Sequence, residues 1–147
     1  MNVFSLMAFV PSLTYDFMMT VVSDKNWYDR IDDLIILGAL PFPNLNRKLL
    51  QEENVRAVIS MNESYELWFA NGKKRWKEKN IHFLQLPTAD IFEAPSQEDL
   101  KEGVQFINEF HKYVDLLDRK EPKPSIYVHC KSGKMRSATM VACYLME

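Results

Sequence analysis

A cysteine and an arginine lie six positions apart near the end of the chain, and together they could act on a phosphate group. Cys130 supplies a thiol that can become a nucleophile, and Arg136 supplies a planar guanidinium that can hold two phosphate oxygens at once. The thiol attacks phosphorus only as a thiolate, so this chemistry requires a loop that stabilises negative charge. The pair therefore predicts a phosphatase site with Cys130 as its nucleophile.

The segments on either side of this pair can supply such a loop. Residues 126–128 form a β-branched and aromatic run typical of a buried strand, and residues 137–146 carry apolar side chains at helical spacing. Backbone N–H groups in the loop and the positive end of the helix dipole would favour both a bound phosphate and a thiolate. We expect the phosphate to contact Lys131, Ser132, Gly133, Lys134, Met135 and Arg136.

Two other interpretations of the loop fit less well. A buried structural cysteine would not require a histidine before it, or an arginine and a serine six and seven positions after it. A Walker-type nucleotide loop is excluded by its spacing. Gly133 and Lys134 are followed by Met135, and Val128 occupies the position of the first Walker glycine.

Hydrolysis also needs an acid, because an alkoxide is a poor leaving group at neutral pH. Asp90 follows a strand-like run and Pro87, on a loop that could close over the phosphate. Glu93 is only nearby in sequence, and Asp99 is better explained as part of a helix start. We therefore favour Asp90 as the acid, and its carboxylate would later activate the water that hydrolyses a phosphocysteine.

Strand-like and helix-like segments alternate along the chain from residue 27. Four of them predict buried strands: residues 34–37, 55–61, 82–86 and 126–129. A short helix is predicted at residues 46–53, capped by Asn44 or Asn46. A longer helix begins at residues 95–99 with a capping-box-like sequence and ends before Pro122. This alternation predicts an α/β domain with a mainly parallel central sheet flanked by helices, and a ligand site at the carboxyl ends of the strands.

The composition of the chain narrows the possible functions. Its 147 residues are 47% hydrophobic and carry a net charge of −2, which suits one globular domain and gives no reason to expect nucleic acid binding. Cys130 and Cys143 do not form a disulfide framework, and a catalytic thiolate requires a reducing compartment. The three histidines lack metal-ligand spacing, so we expect neither a metal nor another cofactor.

The first 26 residues form a separate apolar segment. No charged side chain precedes Asp16 and no basic one precedes Lys25, so neither a signal peptide nor a transit peptide fits well. The uncharged run is shorter than the roughly 20 residues of a spanning helix. Two interpretations stay open: a packed helix or disordered tail, and an interfacial membrane attachment. The basic residues 71–80 are expected to form a solvated surface, with a lipid-headgroup patch as the alternative.

The sequence HC-x5-R-S resembles the active-site loop of the cysteine-dependent phosphatases, in particular of their dual-specificity branch. Further blocks, in the same order, resemble the mitochondrial dual-specificity phosphatases that dephosphorylate phosphatidylglycerophosphate: residues 27–32, 37–41, 53–63, 88–90, 103–106 and 129–145. The resemblance implies the dual-specificity phosphatase fold for residues 27–147. The family loop usually reads HCKAGRSRS, so Ser132, Lys134 and Met135 are departures.

The resemblance also implies roles for individual residues. Asp90 matches the acid of the family's Thr-x-Asp sequence, and Ser137 matches a residue that hydrogen-bonds the returning thiolate. His129 is expected to order the loop, and Glu63 and Glu66 are expected to support it as the remnant of an acidic EEYE segment. The family continues with further helices, so we expect the fold to be incomplete at the C-terminus and to leave apolar surface open.

These features predict a phosphatase that hydrolyses a phosphomonoester through a phosphocysteine. By resemblance, its substrate is phosphatidylglycerophosphate, in cardiolipin synthesis at the mitochondrial inner membrane. Lys131 and Lys134 favour a lipid phosphate or another polyanion, so phosphoinositides and phosphoproteins remain alternative substrates. A function of another class also remains: a shortened product that binds phosphate with little or no turnover. The joint presence of Cys130, Arg136 and Asp90 argues against it, since a pure binder needs neither nucleophile nor acid.

Overall fold

The structure, a computed structural model, describes residue 3 and residues 7–14, 26–89, 94–117 and 122–147. Within these residues, one sheet has the strand order β1-β2-β5-β3-β4. Its strands are β1 (Tyr28–Arg30), β2 (Ile35–Gly38), β3 (Val55–Ser60), β4 (His82–Gln85) and β5 (Ser125–His129). The described α-helices are α1 (residues 7–14), α2 (Lys73–Glu78), α3 (Gln97–Leu116) and α4 (Arg136–Leu145).

The predicted α/β fold with a mainly parallel sheet is confirmed. β1 is antiparallel to β2, whereas the pairs β2–β5, β5–β3 and β3–β4 are parallel. All four predicted strands are present within one residue of their expected ends. The apolar pattern does not predict β1, which contains two charged residues and no apolar run. Backbone pairing with β2 and the ion pair between Arg30 and Glu53 at 3.0 Å hold it at the edge of the sheet.

Successive residues of β5 face opposite sides of the sheet. Ile126 and Val128 belong to a core cluster that includes residues of α3 and α4. Tyr127 belongs to a second cluster on the other face, with Leu49 and the buried Trp76 of α2. The sheet is thus covered on both faces, as parallel sheets require, and its central strand leads directly into the predicted phosphate loop.

The longest helix, α3, begins where the sequence predicts. The hydroxyl oxygen of Ser96 accepts a hydrogen bond from the backbone N–H of Asp99 at 3.1 Å, which caps the helix. Asp99 therefore lies in the first turn, where a carboxylate interacts favourably with the helix dipole. This position gives Asp99 a structural role at the start of α3, as the sequence predicts.

The short helix predicted at residues 46–53 differs in the structure. A 3-10 helix at Pro43–Leu45 is followed by a π-helix at Lys48–Glu52, and no side chain caps either of them. The prediction that Asn44 or Asn46 is the cap is therefore wrong. Asn44 lies inside the first of the two helices, and the side-chain oxygen of Asn46 accepts a hydrogen bond from Asn71. A proline suits the first helical position, so the helical turns begin earlier than predicted.

The described part of the N-terminal segment packs against the domain. Phe9 of α1 is 2% exposed, and its ring meets that of Tyr65 edge-on with 5.8 Å between centroids. On its outer face, α1 leaves Met7 and Val10 exposed. None of the helices among the described residues has the length and apolarity needed to cross a membrane.

Two surfaces of the described residues are open to solvent. The basic side chains of α2 are exposed to solvent, which fits both the solvated face and the lipid-headgroup patch that the sequence allows: Lys73, Lys74, Arg75 and Lys77. At the end of α4, Leu145 and Met146 are exposed, and a groove of about 740 Å³ lies between α3 and the last residues of α4. Apolar side chains at the end of the described chain are thus open to solvent.

Candidate active site

The predicted phosphate loop connects the end of β5, at His129, to the start of α4, at Arg136. Cys130 is buried in this loop, where its Sγ accepts a hydrogen bond from the backbone N–H of Gly133 at 3.2 Å. The hydroxyl oxygen of Ser137 lies 3.1 Å from the same sulfur. Both groups can donate to a negatively charged sulfur, and the start of α4 adds the positive end of a helix dipole.

Two glycines allow the loop to approach the chain that supports it. Gly133 has a φ of +74°, and a Cβ at this position would lie 2.8 Å from the carbonyl carbon and oxygen of Gly38. Gly38 itself has no room for a Cβ, because the side chain of Tyr127 occupies that space. The backbone N–H of Leu40 donates to the carbonyl of Lys131 at 3.1 Å. The segment after β2 is therefore a backbone support for the loop.

Arg136 is buried, and its charge is balanced by Glu66. Nη1 lies 2.9 Å from Oε2 and Nη2 lies 2.9 Å from Oε1, with the two side chains 3% and 0% exposed. Nη1 also donates to the backbone carbonyls of Thr88 at 2.8 Å and Met61 at 3.3 Å. This bidentate arrangement fixes the plane of the guanidinium. Because a guanidinium carries N–H donors on more than one edge, a carboxylate can orient it for phosphate binding.

Glu66 is held in turn by the 3-10 helix at Ser64–Leu67. Glu63 occupies its N-cap position in a capping-box arrangement, where its backbone carbonyl accepts from the N–H of Glu66 at 3.1 Å and its own N–H donates to Glu66 Oε2 at 2.6 Å. The side-chain amide of Asn62 donates to Glu66 Oε1 at 3.1 Å. The two acidic residues expected to support the loop therefore act at different points: Glu66 binds Arg136, and Glu63 positions Glu66.

We expect Glu66→Ala to destabilise the protein by about 3–5 kcal/mol, because it leaves the buried Arg136 guanidinium without its carboxylate. Glu63→Ala is the matched control, since it removes a cap from the same short helix and should cost about 1 kcal/mol. Urea unfolding of both variants and the parent protein measures the difference. Equal losses in the two variants would show that the ion pair contributes no more than the cap.

His129 is fully buried beside the nucleophile. Its ring stacks on that of Tyr127 at 5.6 Å between centroids, and Nδ1 lies 3.4 Å from the carbonyl oxygen of Cys130. Burial lowers the pKa of His129 from 6.5 to about 3; the Cys130 carbonyl opposes this shift and the charge of Arg136 adds to it. A histidine that stays neutral at physiological pH suits the expected role in ordering the loop better than proton transfer.

The pKa of His129 predicts a dependence of stability on pH. The unfolded chain takes up a proton on His129 as the pH falls below about 6.5, whereas the folded protein does not until about pH 3. The free energy of unfolding should therefore fall as the pH is lowered through this window, by up to about 1.4 kcal/mol per pH unit from this residue. Urea titrations of the parent and of His129→Gln between pH 6.5 and 5 test this. The variant should lose stability less steeply, and parallel curves would contradict the prediction.

The other predicted phosphate contacts differ in where their side chains lie. Ser132 is partly buried, whereas Lys134 and Met135 are exposed at the rim of the loop. Lys131 is 8% exposed, and its ammonium group donates to Ser12 of α1 at 2.9 Å. Sequence reasoning missed this contact, because nothing in an uncharged segment marks a partner 119 positions away.

Two of the three acid candidates, Asp90 and Glu93, lie outside the described residues, so the role of Asp90 stays a prediction. The backbone carbonyl of Thr88, two positions earlier, accepts a hydrogen bond from Arg136 at 2.8 Å. The chain that leads to Asp90 therefore reaches the phosphate loop at Thr88. The contacts of Thr88 and Met61 could not be predicted, because they use backbone carbonyls rather than a recognisable side chain.

The arrangement suits covalent phosphoryl transfer to sulfur. A buried thiol with two potential donors faces the start of a helix whose first residue is a buried, oriented arginine. Across the described ranges, no group of His, Cys, Asp and Glu side chains could hold a metal ion. The fold and the site together define a cysteine-dependent phosphatase.

Comparison with known proteins agrees with this class. Residues 40–147 match the family described as dual specificity phosphatase, catalytic domain. The human protein named phosphatidylglycerophosphatase and protein-tyrosine phosphatase 1 is 43% identical over an alignment of 143 residues, and the match covers 95% of this chain and 67% of the human one. The chain therefore belongs to the dual specificity phosphatase family, as its resemblance in sequence implies, and it is a phosphatase.

Two further relatives extend the comparison. The Arabidopsis thaliana protein named phosphatidylglycerophosphate phosphatase PTPMT1 is 36% identical over 140 residues, or 95% of this chain and 38% of the plant protein. The crystal structure of PTPMT1 in complex with PI(5)P superimposes with a TM-score of 0.71 and 42% identity. That match covers 82% of this chain and 72% of the solved one.

Proposed function

We propose that this phosphatase hydrolyses phosphatidylglycerophosphate. The observation that carries the proposal is the 43% identity, over 95% of the chain, with a human protein named for phosphatidylglycerophosphatase activity. The plant relative is named for the same substrate. Lys131 and Lys134 support a substrate with more than one negative group, because they add cations to a loop that already contains Arg136.

The proposed reaction has two steps. The Cys130 thiolate attacks phosphorus, so that an S–P bond forms and the P–O bond to the leaving alcohol breaks, while Asp90 gives the departing oxygen a proton. The Asp90 carboxylate then takes a proton from water, which attacks phosphorus and breaks the S–P bond. Inorganic phosphate leaves, and Ser137 stabilises the returning thiolate. Arg136 holds the equatorial phosphate oxygens through both steps.

Exposed apolar side chains near the site support a lipid substrate. Trp68 and Phe69 are 61% and 62% exposed, directly after the short helix that carries Glu66 and shortly before the basic helix α2. Aromatic side chains next to basic ones suit the interface of an anionic membrane. Location at the mitochondrial inner membrane and a part in cardiolipin synthesis belong to the same proposal, and they rest on the resemblance to the phosphatidylglycerophosphate phosphatases.

A phosphoinositide is the second candidate substrate. It is favoured by one observation, since PTPMT1, to which this chain is 42% identical, was solved in complex with PI(5)P. The same cations of the phosphate loop would suit both headgroups. A phosphoprotein substrate would contact fewer of these cations, because an isolated phosphotyrosine carries one phosphate.

Steady-state kinetics with three substrates side by side test the proposal. The purified protein is assayed with phosphatidylglycerophosphate, a phosphoinositide and a phosphotyrosine peptide, the two lipids in the same mixed micelles. We expect the highest kcat/KM for phosphatidylglycerophosphate. A higher value for the phosphoinositide would favour the second candidate. If the protein turns over none of these three substrates and no aryl phosphate, it is a protein that only binds phosphate.

A further inference from the structure

We propose that α1 is part of the active site, and that Ser12 positions Lys131 to recognise a second anionic group on the substrate. The identification of that group as the phosphodiester of a lipid headgroup rests on the proposed function. The positioning itself rests on contacts between α1 and the phosphate loop.

Lys131 directly follows the nucleophile, and its side chain is directed at α1. Its ammonium donates to the hydroxyl oxygen of Ser12 at 2.9 Å and lies 5.8 Å from the centroid of the Phe9 ring. The residue is 8% exposed. Burying an ammonium group is costly unless polar or π-electron partners compensate for the lost water. The hydroxyl and the ring supply such partners, so they fix where the charge of Lys131 lies.

The hydroxyl of Ser12 is oriented as an acceptor. Its single proton is directed to the backbone of its own helix, where the carbonyl oxygens of Ala8 and Phe9 lie at 2.8 Å and 3.0 Å. A hydroxyl has one donor and two lone pairs, so its lone pairs can face the ammonium of Lys131. Thr14 bonds the carbonyl of Val10 at 2.9 Å in the same manner on the exposed side of the helix, and this makes it a natural control.

The packing of α1 also brings it into contact with the other half of the site. Phe9 packs on Tyr65, which lies in the short helix that also carries Glu66, the partner of Arg136. One helix thus contacts both the loop residue next to the nucleophile and the turn that orients the arginine. A cation held at this position is placed to attract an anion adjacent to a bound phosphate, and it has less effect on a ligand with a single phosphate.

The proposal is tested by binding measurements in a variant that does not turn over substrate. In the Cys130→Ser background, calorimetry gives the affinities for glycerol 1,3-bisphosphate and for glycerol 3-phosphate, which differ by one phosphate across a glycerol. We expect the bisphosphate to bind more tightly. Ser12→Ala should reduce this preference about fivefold, the equivalent of one hydrogen bond, while the affinity for the monophosphate is unchanged. Lys131→Met should reduce it at least as much.

Three further variants separate positioning from a loss of structure. Ser12→Thr keeps the hydroxyl and should retain the preference, and Thr14→Ala should leave it unchanged. Ser12→Ala should have no further effect once Lys131→Met is present, because the two residues act as one unit. Thermal unfolding of every variant is measured in parallel. If Ser12→Ala fails to fold, the preference for the bisphosphate in Lys131→Met and in Ser12→Thr, each compared with the parent, still tests the proposal.

The proposal is overturned by any of three results. The first is that the parent protein shows no preference for the bisphosphate. The second is that Ser12→Ala weakens the binding of both ligands equally or strengthens the binding of either. The third is that Ser12→Ala has its full effect in the Lys131→Met background. The ligands are soluble and no hydrolysis is involved. A failure to hydrolyse phosphatidylglycerophosphate would therefore contradict the proposed function without changing this outcome, and the two failures are distinguishable.

Discussion

Cys130→Ser is expected to abolish turnover while leaving phosphate affinity largely unchanged. A serine hydroxyl is not appreciably ionised at neutral pH, so the nucleophile is lost. The groups around it are retained, because the backbone N–H of Gly133 and the start of α4 do not depend on sulfur. Steady-state assays with an aryl phosphate measure the first effect, and calorimetry with inorganic phosphate measures the second.

Cys143→Ser is the matched control for the nucleophile. Cys143 is the other cysteine of the chain, and it lies on α4 beside the groove formed with α3 rather than in the phosphate loop. We expect its substitution to leave both turnover and phosphate affinity unchanged. Substantial residual turnover in Cys130→Ser, or an equally large loss in Cys143→Ser, would contradict covalent catalysis by Cys130.

Asp90→Asn is expected to lower the rate with an alkyl phosphate by about 10²–10⁴, the range that general acid catalysis supplies. An asparagine cannot protonate the departing oxygen or accept a proton from the attacking water. The loss should be smaller for an aryl phosphate, whose leaving group is more acidic and needs less protonation. Steady-state kinetics with the two types of substrate measure both effects.

Glu93→Gln is the control for this prediction, because it removes a neighbouring carboxylate that has no assigned role. We expect it to change the rate little with either substrate. An equal loss for alkyl and aryl phosphates in Asp90→Asn would mean that Asp90 positions another group rather than donating a proton. A large loss in Glu93→Gln would move the role of acid to that residue.

The elements that present the nucleophile were predictable because their signals are local. The β-branched and aromatic run before Cys130 predicts β5, and the apolar spacing after it predicts α4. Ser96 and the acidic residues after it likewise predict the start of α3. In each case a few consecutive residues carry the information, so one sequence is enough.

The contacts that complete the site were less predictable because they join distant parts of the chain. Glu66 was expected to support the loop only through family resemblance, and its direct bond to Arg136 spans 70 positions. The contact between Ser12 and Lys131 spans 119 positions and involves an apolar segment without any catalytic pattern. β1 was missed for another reason: backbone pairing at a sheet edge leaves no periodic apolar signal.

The most direct test of the covalent mechanism is to trap the intermediate during a single turnover. The protein is mixed with an aryl phosphate, quenched in denaturant at intervals, digested and analysed by mass spectrometry for a phosphoryl group on each peptide. We predict that the phosphoryl group is on Cys130, that it forms at least as fast as the steady-state rate, and that it is absent in Cys130→Ser. Turnover with no phosphoryl group on Cys130, or with one on another residue, would contradict the account.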